Sequence, residues 1–326
     1  MRGTPAYLCR RLLQAALLVV AIAGINFAML HLAPGDAVDV LAGESGAADE
    51  QYVAELREAF GLDQPVHIQL ARYLANVAQL NFGFAFHYNV PVLELIFERL
   101  PATLLLMISS LLIALVGGIV LGVTAARRVG TPWDGMITIM SLIGYATPLF
   151  WLGLMLVLVF SVKLQLLPSG GMSTIGAAMS PLESALDVGR HLVLPAFTLS
   201  LFYMATYTRL MRAQMLEVFG MDFVRTARAK GISPDRVAYR HVLRNAILPL
   251  ISLFGVQVGA VLGGAVVVEV VFGWPGLGRL AFDAIAQRDV NLLMGILFFS
   301  SLLVIVVNVL IDLLYVVLDP RIELAG

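Results

Sequence analysis

The sequence predicts an all-α polytopic membrane protein with six transmembrane helices, and three observations carry this prediction. Of the 326 residues, 60% are hydrophobic and only 13% are charged. The mean hydropathy is +0.89, which lies far above that of a soluble domain. The apolar residues are gathered into stretches that each reach the roughly 20 residues a helix needs to cross a bilayer. Six such stretches lie near 9–31, 100–126, 136–162, 191–213, 246–272 and 292–318.

Residue types that carry chemistry are scarce. Cys9 is the single cysteine, so neither an intrachain disulfide nor a thiolate metal cluster is expected. The two lysines, Lys163 and Lys230, lie outside any Gly-x4-Gly-Lys-Ser/Thr pattern, so no ATP-binding loop of that kind is predicted. We therefore expect no catalytic residue, metal or cofactor in this chain, and an ATP-driven activity would need a separate ATPase polypeptide.

The first apolar stretch predicts a retained membrane helix. Its apolar part, Leu12 to Leu30, is longer than the apolar region of a typical signal peptide, and no convincing cleavage site follows it. With the N-terminus inside, the cytoplasmic pieces hold 14 of the 21 basic residues. The bias remains when the long 32–99 loop is left out, because long loops cross membranes largely regardless of charge. Both termini are therefore predicted to be cytoplasmic.

The external loop 32–99 is predicted to form a helical subdomain. Glu50 to Phe60 has the apolar spacing of a helix, with Gly61 as its cap. The pattern of Val66 to Leu80 predicts a second amphipathic helix. Two interpretations stay open, since the loop could pack over the outer mouth of the protein or offer a docking surface to a binding protein.

The next three spans carry features of packing. Gly118 and Gly122 lie one turn apart in the second span, and Pro148 predicts a kink near the middle of the third. In the fourth span, Tyr203 and Tyr207 are interpreted as an interfacial belt, with Thr206, Thr208, Arg209 and Arg212 around and beyond them.

The segment 222–249 is a long basic stretch between two apolar ones. Asp222 is the predicted N-cap of a short helix that ends at Gly231, a C′ glycine, and Ser233-Pro234 then starts a second helix. Arg236, Arg240 and Arg244 recur every four residues and are predicted to share one face. A basic loop that lies on lipid headgroups would explain the charge but not the Gly-x-Ser-Pro break, which predicts a compact knob.

The knob resembles the "EAA" coupling loop of ABC-importer permeases, through Ala227-Arg228-Ala229-Lys230-Gly231 and the later Ile247-Leu248-Pro249. The sequence RTARAKG…RHVLRNAILP is similar to that of the dipeptide/oligopeptide/nickel branch of these permeases. The segments APGD at 33–36, GLDQP at 61–65 and NFGFAF at 81–86 also resemble this branch. Leu80, Asn81 and Ala85 depart from the family pattern, and Thr226 stands where the general motif has Glu. The resemblance implies ATPase-coupling residues at Asp222, Arg225, Thr226, Ala227, Arg228, Ala229, Lys230, Gly231, Arg236 and Arg240.

The same resemblance implies an architecture and a set of partners. The fold would be a type I ABC importer permease with an extra external helical loop subdomain. Its expected parts are an N-terminal span (1–31), the external loop (32–99), a core of five spans (100–318) that contains the coupling loop, and a cytoplasmic tail (319–326). The implied partners are a paralogous second permease, two ABC ATPases with their ATP and Mg²⁺, an extracytoplasmic solute-binding protein and the lipid bilayer of a bacterial inner membrane, with no nucleic acid.

The fifth span and the turn after it supply further candidate residues. Gly255, Gly259 and Gly263 predict a smooth face for close helix packing, with this chain or with a second permease. Gln257 lies off that face and is a candidate for lining the pathway. Glu269 and Trp274 are gate candidates, since 269–291 is interpreted as an external gate-side hairpin and an ionisable residue such as Glu269 is costly in a span unless it faces protein or water. The alternative for 269–291 is a structural turn with an interfacial tryptophan. In the last span, Asn308 and Asp312 lie one turn apart and predict a structural polar contact.

The function predicted from these residues and the resemblance is permeation in an ATP-driven importer of short peptides by alternating access. Glutathione or nickel-chelate uptake stays open within the same architecture. A stand-alone secondary transporter is the alternative from another class, and it is disfavoured because the five histidines lie in loops or at span ends and no carboxylate lies at the centre of a span.

Overall fold

A computed structural model describes residues 4–32, 63–85, 87–176 and 178–318. The predicted helix 50–60, its cap Gly61 and the tail 319–326 lie outside the described residues. The chain forms two compact units, one of residues 1–100 with 280–326 and one of residues 101–279. The predicted domain bounds stay a prediction.

The helices and strands follow the apolar stretches. The bounds in the first part of the chain are α1 Thr4–Leu32, α2 Val66–Ala78, β1 Phe84–Ala85, β2 Val90–Pro91, α3 Val92–Arg127, α4 Pro132–Ala146, α5 Leu149–Leu156 and a π-helical segment Val157–Lys163. The bounds in the second part are α6 Pro181–Phe219, α7 Asp222–Ala229, α8 Pro234–Arg236, a π-helical segment Val237–Val242, α9 Leu243–Ala246, α10 Leu248–Phe272, α11 Leu277–Ala286 and α12 Val290–Leu318.

Four described helices are long and apolar enough to cross a membrane: Val92–Arg127, Pro181–Phe219, Leu248–Phe272 and Val290–Ile311. A fifth crossing is formed if α4 and the helix that follows it count as one span, and Leu13–Met29 within α1 is a shorter apolar segment. Each predicted span therefore coincides with helix, while the count of six stays a prediction.

The third predicted span departs most from a simple helix. α4 ends at Ala146, and the chain bends by 108° before α5 begins at Leu149. Thr147 is extended, as expected of a residue before proline, and Pro148 has no N–H with which to continue the helical hydrogen bonds. The predicted kink is therefore a full break.

In the first unit, α12 packs on α1, and α2 also lies against α1. The antiparallel pair of β1 and β2 is short, with Phe84 opposite Pro91. Aromatic contacts hold these elements together, with the Phe82 and Phe298 ring centroids 5.6 Å apart and those of Phe27 and Tyr73 5.8 Å apart.

In the second unit, α6 is the central helix and packs against α4, α5, α9 and α10. Tyr203 and Tyr207, predicted as an interfacial belt, are instead buried in this core. A Cβ atom at Gly118 would overlap the Cβ of Tyr207, and one at Gly122 would lie 2.6 Å from the Cβ of Met211. The two glycines of α3 thus allow α6 to approach closely and bury Tyr207, while the Tyr203 hydroxyl lies beside Gly264 of α10.

Candidate coupling and gate sites

The knob 222–246 consists of two helical pieces joined by a left-handed glycine. α7 ends at Ala229 with Lys230 as its C-cap, and Gly231 follows as C′ with a φ of 76°, as predicted. Ser233 is the N-cap of α8 and Pro234 is its first residue, also as predicted. Asp222 differs from the prediction, because Met221 is the N-cap and Asp222 is the first helical residue, where its charge suits the positive end of the helix.

The root of the knob is apolar. Val224 and Ala227 from α7 are buried in the same core as Val237, Val242 and Ala246. The latter three belong to the second helical piece, which runs from α8 through the π-helical segment to α9. The π-helical turn 237–242 widens the spacing of the buried positions, because a π-helix bonds each residue to the one five positions later. Since these side chains share one core with α6, the knob and α6 form a single packed body.

One polar link also fastens the knob to the end of α3. Arg127 pairs with Asp235, and its Nη1 atom donates to the Tyr239 hydroxyl over 2.9 Å. Its guanidinium also lies 5.0 Å from the centre of the Tyr239 ring. Arg127 was not among the residues predicted to act in coupling, because its partners lie more than a hundred positions away in the chain.

The outer surface of the knob is basic and largely without intramolecular partners. Arg236, Arg240 and Arg244 are all exposed, and the described residues place no carboxylate within ion-pair distance of them. Arg225 pairs with Asp222 over 3.3 Å, and Arg228 lies over the Phe219 ring. The remaining predicted coupling residues divide in two, since Ala227 is buried while Thr226, Ala229, Lys230 and Gly231 are exposed.

The turn after α10 buries the carboxylate of Glu269 completely. The Thr103 hydroxyl donates to Glu269 Oε1 over 2.7 Å, and the Arg279 backbone N–H donates to Glu269 Oε2 over 3.0 Å. Thr103 Oγ1 in turn accepts from the Leu277 N–H over 2.8 Å. Leu277 and Arg279 belong to the first turn of α11, so these two side chains satisfy N–H groups that have no partner within that helix.

The glycines of this turn make room for the carboxylate. A Cβ atom at Gly276 would overlap the Glu269 carboxylate, and one at Gly278 would lie 2.6 Å from the Val266 Cα. Gly273 ends α10 with a φ of 61°, and its carbonyl oxygen accepts from the Arg279 guanidinium over 2.5 Å. Nearby, the Gly171 N–H donates to the Phe272 carbonyl over 2.8 Å, which ties the predicted external turn 167–171 to the end of α10.

Trp274 is also enclosed rather than interfacial. Its side chain is fully buried, and its indole N–H donates to the Ala102 carbonyl over 2.8 Å. The alternative of an interfacial tryptophan is therefore wrong, because the turn folds back onto the start of the second span. We call the group Ala102, Thr103, Glu269 and 273–279 the outer cap, because the predicted orientation puts it on the extracytoplasmic side. A gating role for Glu269 and Trp274 stays a prediction.

The other predicted pathway and packing residues lie apart from these two sites. Gln257 is half-buried on α10. Along the predicted glycine strip, Gly255 is buried, Gly259 is intermediate and Gly263 is exposed, with nothing within 4 Å of the position of a Cβ atom. Asn308 lies half-buried on α12.

An ion pair that the sequence analysis missed joins α4 to α6. Arg212 contacts Asp134 in a bidentate manner, with Nε to Oδ1 at 2.7 Å and Nη2 to Oδ2 at 2.9 Å. The Gly130 N–H donates to the same carboxylate over 3.1 Å, and Asp134 is buried. The available signal was an acidic residue in the first turn of α4, but its partner lies 78 positions away. Among the described residues, no cluster of His, Cys, Asp or Glu is suited to hold a metal ion.

Family comparisons match almost the whole chain. The family described as "Binding-protein-dependent transport system inner membrane component" matches residues 118–324, and the corresponding N-terminal family matches residues 5–107. The fold also resembles a chain of the inward-facing MetNI methionine ABC transporter, with a TM-score of 0.54 and 16% identity over 70% of this chain and 97% of that one.

Several curated proteins are similar over nearly their full length. The oligopeptide transport system permease protein AppB of Bacillus subtilis is 42% identical over 98% of this chain and 99% of its own. The di/tripeptide transport system permease protein DppB of Pseudomonas aeruginosa is 40% identical, over 98% of both chains. The dipeptide transport system permease protein DppB of Escherichia coli is 37% identical over 97% of this chain and 98% of its own.

Proposed function

The chain belongs to the family of binding-protein-dependent transport system inner membrane components, and from this premise we propose that it is a membrane subunit of an ATP-driven importer of short peptides. The similarity to three permeases named for oligopeptides, di/tripeptides and dipeptides supports short peptides as the substrate class. The knob carries the coupling to ATP, because it combines an exposed basic surface with an apolar root.

The knob is suited to receive force from a separate ATPase. Its exposed arginines offer charged donors to a partner protein, while its buried side chains belong to the same core as α6. Packed cores do not deform continuously, so a displacement of the knob is passed to α6 as a rigid movement. ATP and Mg²⁺ would bind in two ATPase subunits, and this chain would contribute the moving helices of an alternating-access cycle.

The rest of the assembly follows from the same proposal. A second, paralogous permease would pair with this chain, and an extracytoplasmic binding protein would deliver the peptide. The orientation predicted from the basic residues would place both termini in the cytoplasm. In that orientation the knob, which follows α6, would face the ATPases, and the outer cap, which follows α10, would lie on the opposite side of the membrane.

The decisive experiment is a gentle detergent purification of the tagged chain, followed by identification of its companions and by uptake measurements in proteoliposomes. We expect a second permease, two ATPases with ATP-binding loops, and ATP-dependent uptake of a labelled dipeptide or tripeptide that requires the binding protein. Labelled glutathione and a nickel chelate serve as matched competitor substrates in the same vesicles.

Two results would contradict the proposal. A chain that purifies alone and transports solute in response to an ion gradient, without ATP, would establish a secondary transporter. A complete complex that imports glutathione or a nickel chelate but no peptide would keep the architecture and replace the substrate.

A further inference from the structure

The inner half of α6 leaves one stripe of its surface open. α6 is the most enclosed of the four long apolar helices, since half of its most apolar 18 residues are buried, against a third or fewer in the others. From position 202 to its end, only Phe202, Arg209, Ala213 and Glu217 are exposed. At 3.6 residues per turn these positions fall on one side of the helix. We call these four residues the stripe; they are the part of this half of α6 that the rest of the second unit covers least.

Arg209 and Arg212 lie three positions apart on α6, and they are treated differently. Arg212 is neutralised by the buried carboxylate of Asp134. Arg209 is exposed on the open stripe, and no carboxylate among the described residues lies within ion-pair distance of it. Arg212 is thus paired within the chain, whereas Arg209 is available to a molecule that reaches the stripe.

An aromatic platform holds Arg209 in place. Its guanidinium lies 4.6 Å from the centre of the Tyr145 ring, and that ring stacks on Phe202 with centroids 5.1 Å apart and planes at 18°. Phe202 in turn meets the edge of Tyr203. Stacking on a ring restricts a guanidinium without using its hydrogen-bond donors, so those of Arg209 stay available to an acceptor.

Arg209 lies near the predicted inner end of the span 191–213, where water or protein can face a cation that would be costly deeper in the membrane. We propose that Arg209, on the platform of Tyr145 and Phe202, binds the C-terminal carboxylate of the peptide during its passage. This inference rests on the proposed function and names a contact within it. The C-terminal carboxylate is shared by linear peptides whatever their side chains, and a guanidinium matches a carboxylate with two parallel hydrogen bonds.

The test compares a labelled tripeptide with its C-terminal amide in the complete reconstituted complex. The amide is chosen so that the binding protein binds it, and each uptake rate is divided by the measured occupancy of the binding protein. The variants are Arg209→Gln and Arg209→Lys, with Arg128→Gln as the matched control. Arg128 also lies over an aromatic ring, that of Trp133, but it is outside the stripe.

We expect the unaltered complex to import the acid at least about tenfold faster than the amide, since loss of even one of the two charge-assisted hydrogen bonds supports that ratio. Arg209→Gln removes this preference by slowing the acid and not the amide. Arg209→Lys retains part of it, and Arg128→Gln retains all of it.

Two results would overturn the inference. An unchanged preference in Arg209→Gln would show that the guanidinium does not meet the carboxylate. Equal loss of both substrates, together with loss of the second permease from the purified complex, would assign Arg209 to a contact between permease subunits. If the unaltered complex imports neither peptide, the proposed function itself fails, which is a separate outcome.

Discussion

The two ends of α10 handle charge in opposite ways. The knob, which precedes the first residue of α10, presents arginines to the surroundings and buries only apolar side chains. The outer cap at its other end encloses a carboxylate and satisfies its oxygens with hydrogen bonds. An enclosed, saturated charge fixes local structure, whereas an exposed charge without intramolecular partners contributes little to folding and remains available to another molecule. The outer cap should therefore govern stability, and the knob should govern assembly and coupling.

The largest effect on folding is expected from Gly276→Ala in the outer cap. The added methyl group would overlap the Glu269 carboxylate and separate it from α11, at a cost of about 3–5 kcal/mol in the free energy of unfolding. The measurement is the melting temperature of the detergent-purified chain. Gly263→Ala is the control, because its methyl group would meet nothing within 4 Å. Equal melting temperatures for the two variants would refute the crowding that we describe.

A smaller loss is expected from Glu269→Ala, about 2–4 kcal/mol, because the Thr103 hydroxyl and the Arg279 N–H lose their acceptor in a buried place. Glu269→Gln keeps one acceptor oxygen and should lie between this variant and the unaltered chain. Melting temperature and peptide uptake are measured together. Loss of uptake in a Glu269→Gln complex with an unchanged melting temperature would instead favour a gating role for this carboxylate.

In the knob, Gly231→Val is expected to impair coupling more than folding. A β-branched residue at a φ of 76° costs about 1–2 kcal/mol, which a protein of this size tolerates. Relief of that strain would turn α7 relative to α8, so we expect ATPase activity and uptake to become uncoupled. Gly176→Val serves as the control, since Gly176 has a φ of 80° and open surroundings in the external turn region. Normal ATP-driven uptake by Gly231→Val would show that this hinge is not part of coupling.

The smallest effect on stability is expected from changing Arg236, Arg240 and Arg244 together to Glu. These side chains have no ion-pair partner among the described residues, so the melting temperature of the isolated chain should change little. Recovery of the ATPases with the chain should nevertheless be lost, and replacement of the same three residues by Lys should preserve it. A Glu variant that assembles and transports normally would show that these three arginines are solvated surface charges with no role in binding the ATPases.

The sequence predicted what depends on neighbouring residues. Gly231 and Ser233-Pro234 each act within one turn of the chain, and the structure places them as helix end and helix start. The sequence could not predict contacts between distant positions. Thr103 meets Glu269 across 166 positions, and Asp134 meets Arg212 across 78. The tyrosines of α6 were misplaced for the same reason, because Tyr207 packs on Gly118 of α3 and Tyr203 lies beside Gly264 of α10.

The outer cap also has a consequence for how the protein is made. Thr103 leaves the ribosome 166 residues before Glu269. At typical rates of synthesis this interval is roughly 10–30 s. We expect the second span to enter the membrane in that time, before the partners of the Thr103 hydroxyl and the Ala102 carbonyl have been synthesised. The cap therefore closes as one of the last steps of biogenesis, and variants that weaken it should be recognised by membrane quality-control proteases before they ever reach a transporter complex.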